Sequence, residues 1–244
     1  MYRIRIALPK GESVTYRNLD LLHDALVNAW VDAGACGDAI TGSKAFPWHF
    51  GVLGWHYGDT NRCHTLVVGS PDPTLSNYLK RLKPNSLIHA RAQTAEFVDF
   101  SKADVLPDPD PVAPGQSALG VVMLSPLAIS RQDDGDHCLR WHTDLKDADI
   151  SNAVSHRLSR LAGRRVELRI EPDRLYLRTH PHHDSLIQIK ELKSGRRSFV
   201  IGMRAPLIFH GKTEDLRFAW YAGVGEKNRM GFGCIGLVER GVGR

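Results

Sequence analysis

The chain has 244 residues, 42% of them hydrophobic, so it is long enough for one large domain or two small ones and ordinary in composition for a globular protein. No run approaches the roughly 18 apolar residues of a membrane span, and Met1-Tyr-Arg-Ile-Arg-Ile6 begins a strand pattern rather than a signal peptide, which argues against a membrane partner and predicts a cytoplasmic protein. The net charge of +5 is unevenly spread: residues 1–150 hold 14 Lys/Arg against 18 Asp/Glu, and residues 151–244 hold 18 against 9, a basic half suited to a polyanionic partner.

Tyr2, Ile4, Ile6 and Leu8 alternate with Arg3 and Arg5, which predicts a strand with one apolar and one basic face. A helix is predicted from Asn18 to Ala33, with Leu19, Leu22, Leu26 and Trp30 on one stripe and Asp24, Asn28 and Asp32 opposite. Strands follow at Ala45 to Leu53 and Thr65 to Val68. A short helix comes next at Thr74 to Leu82, after the turn Pro71-Asp-Pro73, and then a final strand region at Leu87 to Phe100. This is the βαββαβ order of a ferredoxin-like, RRM-like fold. Four prolines between Val105 and Gln116 favour an extended connector without regular structure, so residues 1–104 form the first domain, 105–116 the linker and 117–244 the second domain.

The second half repeats the order with extra hairpin strands. Leu119 to Leu124 is an apolar run entering Ser125-Pro126, and Asp149 to Leu161 is helical, capped by Asp149 and Gly163. Val166, Leu168 and Ile170 alternate with charged residues, and Pro172-Asp173 turns the chain toward a second strand through Leu175 and Leu177. Arg197 to Arg204 is a further strand, followed by Pro206 to Phe209, a helix from Thr213 to Tyr221, a glycine-rich loop and a last strand from Phe232 to Glu239. The expected fold class is α+β, two tandem ferredoxin-like domains.

The loop Tyr221-Ala-Gly-Val-Gly-Glu-Lys-Asn-Arg-Met-Gly-Phe-Gly233 brackets Lys227, Asn228 and Arg229 between Gly223, Gly225, Gly231 and Gly233, so backbone amides and two cations are offered together to phosphate. A helix precedes it and a strand follows, the reverse of a dinucleotide fingerprint, which argues against NAD or ATP as cofactor. The pattern resembles the C-terminal glycine-rich loop of the RAMP superfamily, in particular the CRISPR-associated endoribonucleases that cut precursor CRISPR RNA within each repeat. The Ser125-Pro126 step is similar as well.

On the predicted Asp149 helix, Arg157, Arg160 and Arg164 fall along one side with Arg165 just beyond, a row suited to RNA phosphates. His23 stands in Leu22-His-Asp-Ala-Leu26, and the resemblance implies that a first-helix histidine in such a context is catalytic. His49, after the first helix, and His56, in a loop-like Gly-Trp-His-Tyr-Gly setting, compete with it; Tyr16, Arg17 and Lys44 are further candidates by proximity in sequence. Thr179-His-Pro-His-His-Asp184 reads as a hairpin loop, and the four separated cysteines indicate neither a disulfide framework nor a zinc site, so no metal site is expected.

The chemistry that the resemblance implies needs no metal: the 2′-hydroxyl attacks the adjacent phosphate, leaving a 2′,3′-cyclic phosphate and a 5′-hydroxyl, with histidine moving a proton and cations stabilising the phosphorane. The implied partner is the stem-loop of CRISPR repeat RNA, read by Arg157, Arg160, Arg164 and Arg165, with other Cas proteins of an effector complex as a further class. Two alternatives stand beside it: a non-catalytic RAMP subunit that binds guide RNA, and a ferredoxin-like metabolic protein that binds a small anion.

Overall fold

The computed structural model describes residues 1–42, 45–57, 60–91, 95–131, 140–192 and 194–237. The first half contains β1 (Tyr2–Ala7), β2 (Val14–Tyr16), α1 (Leu19–Asp32), α2 (Gly37–Thr41), β3 (His49–Tyr57), β4 (Thr60–Ser70), α3 (Pro73–Leu79), β5 (Ile88–Arg91), β6 (Glu96–Asp99) and β7 (Asp104–Pro107). β4 pairs antiparallel with β1, β2 and β3, and β1 pairs with β7 on its other side, so the main strands lie in the ferredoxin-like order β3-β4-β1-β7. α1 buries Leu19, Leu22, Leu26 and Trp30 as the sequence predicts, with Leu21, Ala25 and Ala29 widening the stripe. Burying each large side chain contributes about 1.5–3 kcal/mol, and Trp30→Ala is expected to cost about 3–5 kcal/mol. α3 starts where Asp72 accepts the Leu75 amide and Pro73 supplies a preset φ at the first turn.

Two expectations fail here for identifiable reasons. The region 87–100 is not the closing strand but a separate hairpin, β5 with β6, laid across the polar side of α1: Asn28 Nδ2 donates to the Ile88 carbonyl at 3.2 Å and Ser86 Oγ to Asp32 at 2.5 Å. The closing strand is β7, inside the proline-rich segment. It sits at the sheet edge, where Pro107 needs no ladder partner on its outer side. The rest of that segment is held down rather than loose. Tyr221 Oη lies 3.1 Å from Asp110 Oδ2, and Arg217 reaches Asp110 Oδ1 at 3.1 Å and the Val112 carbonyl at 2.9 Å.

The second half contains β8 (Ala118–Met123), α4 (Ile150–Ala162), β9 (Leu168–Pro172), α5 (Arg174–Thr179), β10 (Asp184–Glu191), β11 (Arg197–Met203), β12 (Leu207–Gly211), α6 (Thr213–Ala222) and β13 (Ile235–Gly236). The sheet order β13-β8-β12-β9 repeats that of the first half, with the β10–β11 hairpin inserted before β12. The strand expected through Leu175 and Leu177 is instead α5, because Asp173 caps it by accepting the Tyr176 amide at 2.9 Å. α4 begins at Asp149, which accepts the Asn152 amide, and ends at Gly163 with φ +63°.

A serine stripe couples α4 to the outer edge of β9. Ser151, Ser155 and Ser159 hydroxyls accept the amides of Ile170, Leu168 and Val166 at 2.8, 3.0 and 2.8 Å and lie 3.2–3.4 Å from the carbonyls of the same residues. Four helical residues rise about 6 Å and two strand residues about 6.6 Å, so the two spacings match. The stripe satisfies an edge that would otherwise remain open to pairing.

The two sheets meet at Arg3. The expected basic face of β1 is covered: Arg3 is 1% exposed, its guanidinium lies 3.9 Å over the Trp220 ring, and its Nη atoms donate to the Trp220 and Ile235 carbonyls at 3.1 and 2.7 Å. Its Nε stands 2.8 Å from Asp108 Oδ2, close enough to pair although not aligned as a hydrogen bond, and Arg5 adds a second contact to Asp108 at 3.2 Å. Packing of α6 and β13 on that face turns a surface arginine into an interior one.

Candidate nucleic-acid interface

The glycine loop leaves α6 at Gly223 and returns to β13 through a short 3-10 turn at Asn228–Met230. Positive φ at Gly223, Gly225, Gly231 and Gly233 builds the bracket. At Gly233 any side chain would collide with the Val224 carbonyl oxygen, whose residue accepts and donates within the loop: the Val224 amide bonds the Gly233 carbonyl at 2.8 Å. Asn228 is the internal brace. It is 2% exposed, donates to the Val224 and Phe232 carbonyls at 2.9 and 3.1 Å, and accepts Arg157 Nε and Nη2 at 3.1 and 2.9 Å.

Much of what sequence offered to phosphate is therefore engaged inside the protein. The four bracketing glycines are buried, and the amides of Val224, Glu226, Met230, Gly231 and Gly233 already bond carbonyls. Arg229 Nη1 donates to the Ile40 and Gly42 carbonyls at 3.0 and 3.2 Å, at the end of α2. Lys227 remains exposed with φ +57°.

The expected arginine row is broken, because α4 ends at Ala162 and leaves Arg164 and Arg165 beyond the Gly163 cap, and its charge is likewise mostly engaged. Arg157 is half-buried on Asn228, Arg164 pairs with Asp215 at 2.5 Å and Glu214 at 3.7 Å, and Arg165 pairs with Glu167. The acidic partners that α4 lacks come from α6 and from Glu167, just before β9. Arg160 is exposed, and burial, with the Arg160 and Arg229 charges against that of Glu226, lowers the Arg157 pKa. Lys227 and Arg160 thus present charge outward while Arg157 and Arg229 fasten the loop from behind.

His23 lies on α1 with its side chain 15% exposed. Its ring stacks on Trp48 at 5.7 Å between centroids and 21° between planes, and Nδ1 lies 3.2 Å from Asp24 Oδ1. Asp24 also meets Arg91 Nη2 at 3.0 Å and His89 Nε2 at 3.8 Å. Burial pushes the Asp24 carboxyl up, but the hydrogen bond from His23 and the charges of His23 and His89 outweigh it and leave the group below the usual carboxylate range. Trp48 Nε1 donates to the Ile40 carbonyl at 3.0 Å, the same oxygen that Arg229 holds, so His23 and the glycine loop are joined through one tryptophan.

The other expected catalytic residues are dispersed. Tyr16 is buried, and desolvation with the nearby Cys63 raises its phenol well above the ordinary value, so it is neutral at cellular pH. Tyr16 and Arg17 line a cleft at the N-terminal end of α1. His49 is 0% exposed beneath the loop, and burial, then the Arg3 charge, lowers its pKa to about 3 against a Tyr221 backbone hydrogen bond that raises it. That placement removes His49 from contact with any solvent-borne substrate. His56 falls within β3 rather than a loop, and Lys44 lies outside the described residues. In the histidine loop, His183 is buried and its Nε2 lies 3.1 Å from the Leu145 amide. Among the described residues no group of His, Cys, Asp or Glu could hold a metal ion.

The cleft itself was missed by sequence reading. It encloses about 390 Å³ between β2, β3 and β4 on one side and the β10–β11 hairpin on the other, and its lining includes Arg17, Arg62, Arg197 and Arg204 with no Asp or Glu. Arg62 comes from β4, Arg197 and Arg204 from β11 and its exit, and Arg17 from the β2–α1 connection, so no local run announced them.

Among known proteins, a model of the family described as CRISPR associated protein Cas6, C-terminal, matches residues 108–237. A structure described as the characterization of a Cas6-related gene from Pyrococcus furiosus is similar at TM-score 0.69 and 14% identity, covering 98% of this chain and 99% of that one. A RAMP protein described as binding different RNA substrates is similar at TM-score 0.62 and 15% identity, covering 98% and 100%. A Cas6 product complex follows at TM-score 0.59 and 13% identity, covering 96% and 98%. No curated protein matches the chain. No described helix is long and apolar enough to cross a membrane.

Proposed function

The chain belongs to the CRISPR-associated Cas6 family, and from that membership we propose that it is an endoribonuclease that binds the stem-loop of CRISPR repeats and cuts precursor CRISPR RNA into guide RNAs without a metal. The observation that carries the reading is the placement of His23: a partly exposed imidazole oriented by Asp24 and Trp48 and linked through Ile40 to the glycine loop.

With Nδ1 committed to the Asp24 carboxylate, Nε2 is the nitrogen left to exchange a proton with RNA. In the proposed reaction the 2′-hydroxyl loses its proton as its oxygen bonds to the adjacent phosphorus, and the bond to the 5′-oxygen breaks as that oxygen gains a proton. His23 serves one of these transfers. Lys227 and Arg160 supply positive charge toward the phosphorane and the stem. Neutral Tyr16 and enclosed His49 have structural roles in this reading, and Arg17 belongs to the cleft. Arg164 and Arg165, tied to carboxylates, are secondary contacts. A host effector complex is the proposed destination of the product.

The non-catalytic RAMP reading draws on the same histidine, since stacking on Trp48 and pairing with Asp24 would also suit a residue that only fixes the β5–β6 hairpin to α1. The reading is tested by incubating host repeat RNA with the protein in EDTA, beside His23→Ala and beside RNA with a 2′-deoxy nucleotide at the cut. The nuclease is expected to give one cut with cyclic phosphate and 5′-hydroxyl ends, abolished by the 2′-deoxy sugar and slowed about 10²–10⁴-fold by His23→Ala. Binding without cutting would establish the non-catalytic subunit.

A further inference from the structure

One arginine of the cleft has no acidic partner among the described residues. Arg204 follows β11 at the cleft floor; its Nε is buried with no hydrogen-bond partner, and among the described residues no carboxylate pairs with it. Burial lowers its pKa, and the titratable groups that oppose the shift are two phenols, Tyr16 and Tyr176. A half-buried cation without a counter-charge beside it is costly, and it is tolerable where an anion arrives from outside.

The mouth supplies the other half of a ligand. Trp55 on β3 is 48% exposed and backed by the His64 ring at 5.7 Å, and Phe199 on β11 is 41% exposed. Large aromatic faces left to solvent beside a cationic floor suit a flat base attached to a phosphate. Arg62 faces Trp55 across the β3–β4 ladder, and Arg197 opens on the hairpin side with only a 3.8 Å contact to Glu191. A duplex cannot enter a cavity of this size, whereas one unstacked nucleotide can.

We propose that this cleft is a receptor for one unpaired nucleoside phosphate, with the phosphate on Arg204 and the base on Trp55 or Phe199. The proposal rests on the RNA-binding reading above and adds to it a single-stranded element distinct from the stem and from His23. Gly231 of the glycine loop lines the same cleft, so a strand leaving that loop has a direct path into it.

The test compares three probes on wild-type protein, Arg204→Met and the surface variant Trp55→Ala/Phe199→Ala: repeat RNA with its unpaired flank, the stem-loop alone, and free CMP. The flanked RNA is expected to bind at least about tenfold more weakly to both variants, while the stem-loop binds as it does to wild type. Loss of CMP binding with flanked RNA unaffected would support the receptor with a free nucleotide as its source. Equal binding of flanked RNA and of CMP by all three proteins would overturn the proposal. A wild-type protein that neither binds nor cuts repeat RNA would instead overturn the family-based function, and the CMP arm would still decide the cleft. The surface variant guards against misfolding, because neither aromatic side chain is buried.

Discussion

Two basic regions of this molecule behave in opposite ways. The arginines near α4 are clustered in sequence, and three of the four are engaged by the protein itself, Arg157 on Asn228, Arg164 on Asp215 and Arg165 in a surface pair with Glu167. The arginines of the cleft are scattered over residues 17–204, yet they converge without a carboxylate in the lining. A run of charge on one helix records what faces that helix, and its neighbours decide whether the charge is free. Convergence from distant parts of the chain is invisible to periodicity, and it is where unspent charge collects here.

The largest expected effect breaks the interior side of the comparison. Arg3→Met leaves Asp108 buried with only Arg5 near it, and it should cost about 3 kcal/mol, the low end for a broken buried pair, read by urea unfolding. A cost below about 1 kcal/mol would mean that the sheets do not meet through this arginine.

Next comes pH. Burial and the Arg3 charge hold folded His49 down to about 3 against an ordinary 6.5, so below 6.5 the unfolded chain binds a proton that the folded one refuses. Stability contributed by neutral His49 is therefore full above 6.5 and falls by about 1.4 kcal/mol per pH unit as pH drops toward 3. His49→Gln should flatten that part of the unfolding profile; an unchanged slope would place the acid sensitivity elsewhere.

Asn228→Ala strands the Val224 and Phe232 carbonyls and frees Arg157, at about 1–3 kcal/mol for each group left without a partner, seen as a lower Tm. Arg204→Met should do the reverse in the free protein, raising stability by about 1 kcal/mol because it removes an uncompensated cation. A site kept for binding is expected to trade stability in this way. Destabilisation by Arg204→Met would mean that the cation has a partner within the fold. Arg165→Ala is the smallest effect, within about 0.5 kcal/mol in stability, since it is a surface pair.

Sequence disclosed most of the architecture because local signals agreed with global packing: the α1 stripe, the Asp149 and Gly163 caps and the glycine bracket all formed as read. It failed where a distant element overrode the local pattern. Arg3 reads as a surface residue until α6 covers it, β7 hides among prolines that an edge strand tolerates, and Leu175 and Leu177 alternate like a strand until Asp173 caps a helix. The strand through Val166, Leu168 and Ile170 was expected, but its bonding to serines four apart on α4 was not. The site divides in the same way. His23 was singled out by the resemblance of its sequence context and stands as the proposed catalytic residue, whereas its orientation by Asp24 and Trp48, the enclosure of His49 and the cleft around Arg204 depend on contacts across the chain.

The contrast between the two basic regions is tested most directly by photo-crosslinking 4-thiouridine-substituted repeat RNA to the intact protein and mapping the modified peptides. Adducts at Trp55, Phe199, Lys227 and Arg160, with few at Arg157, Arg164 and Arg165, are the expected result. Adducts concentrated on Arg157, Arg164 and Arg165 and absent from the cleft would contradict it, returning the RNA to the arginine row that the sequence first suggested.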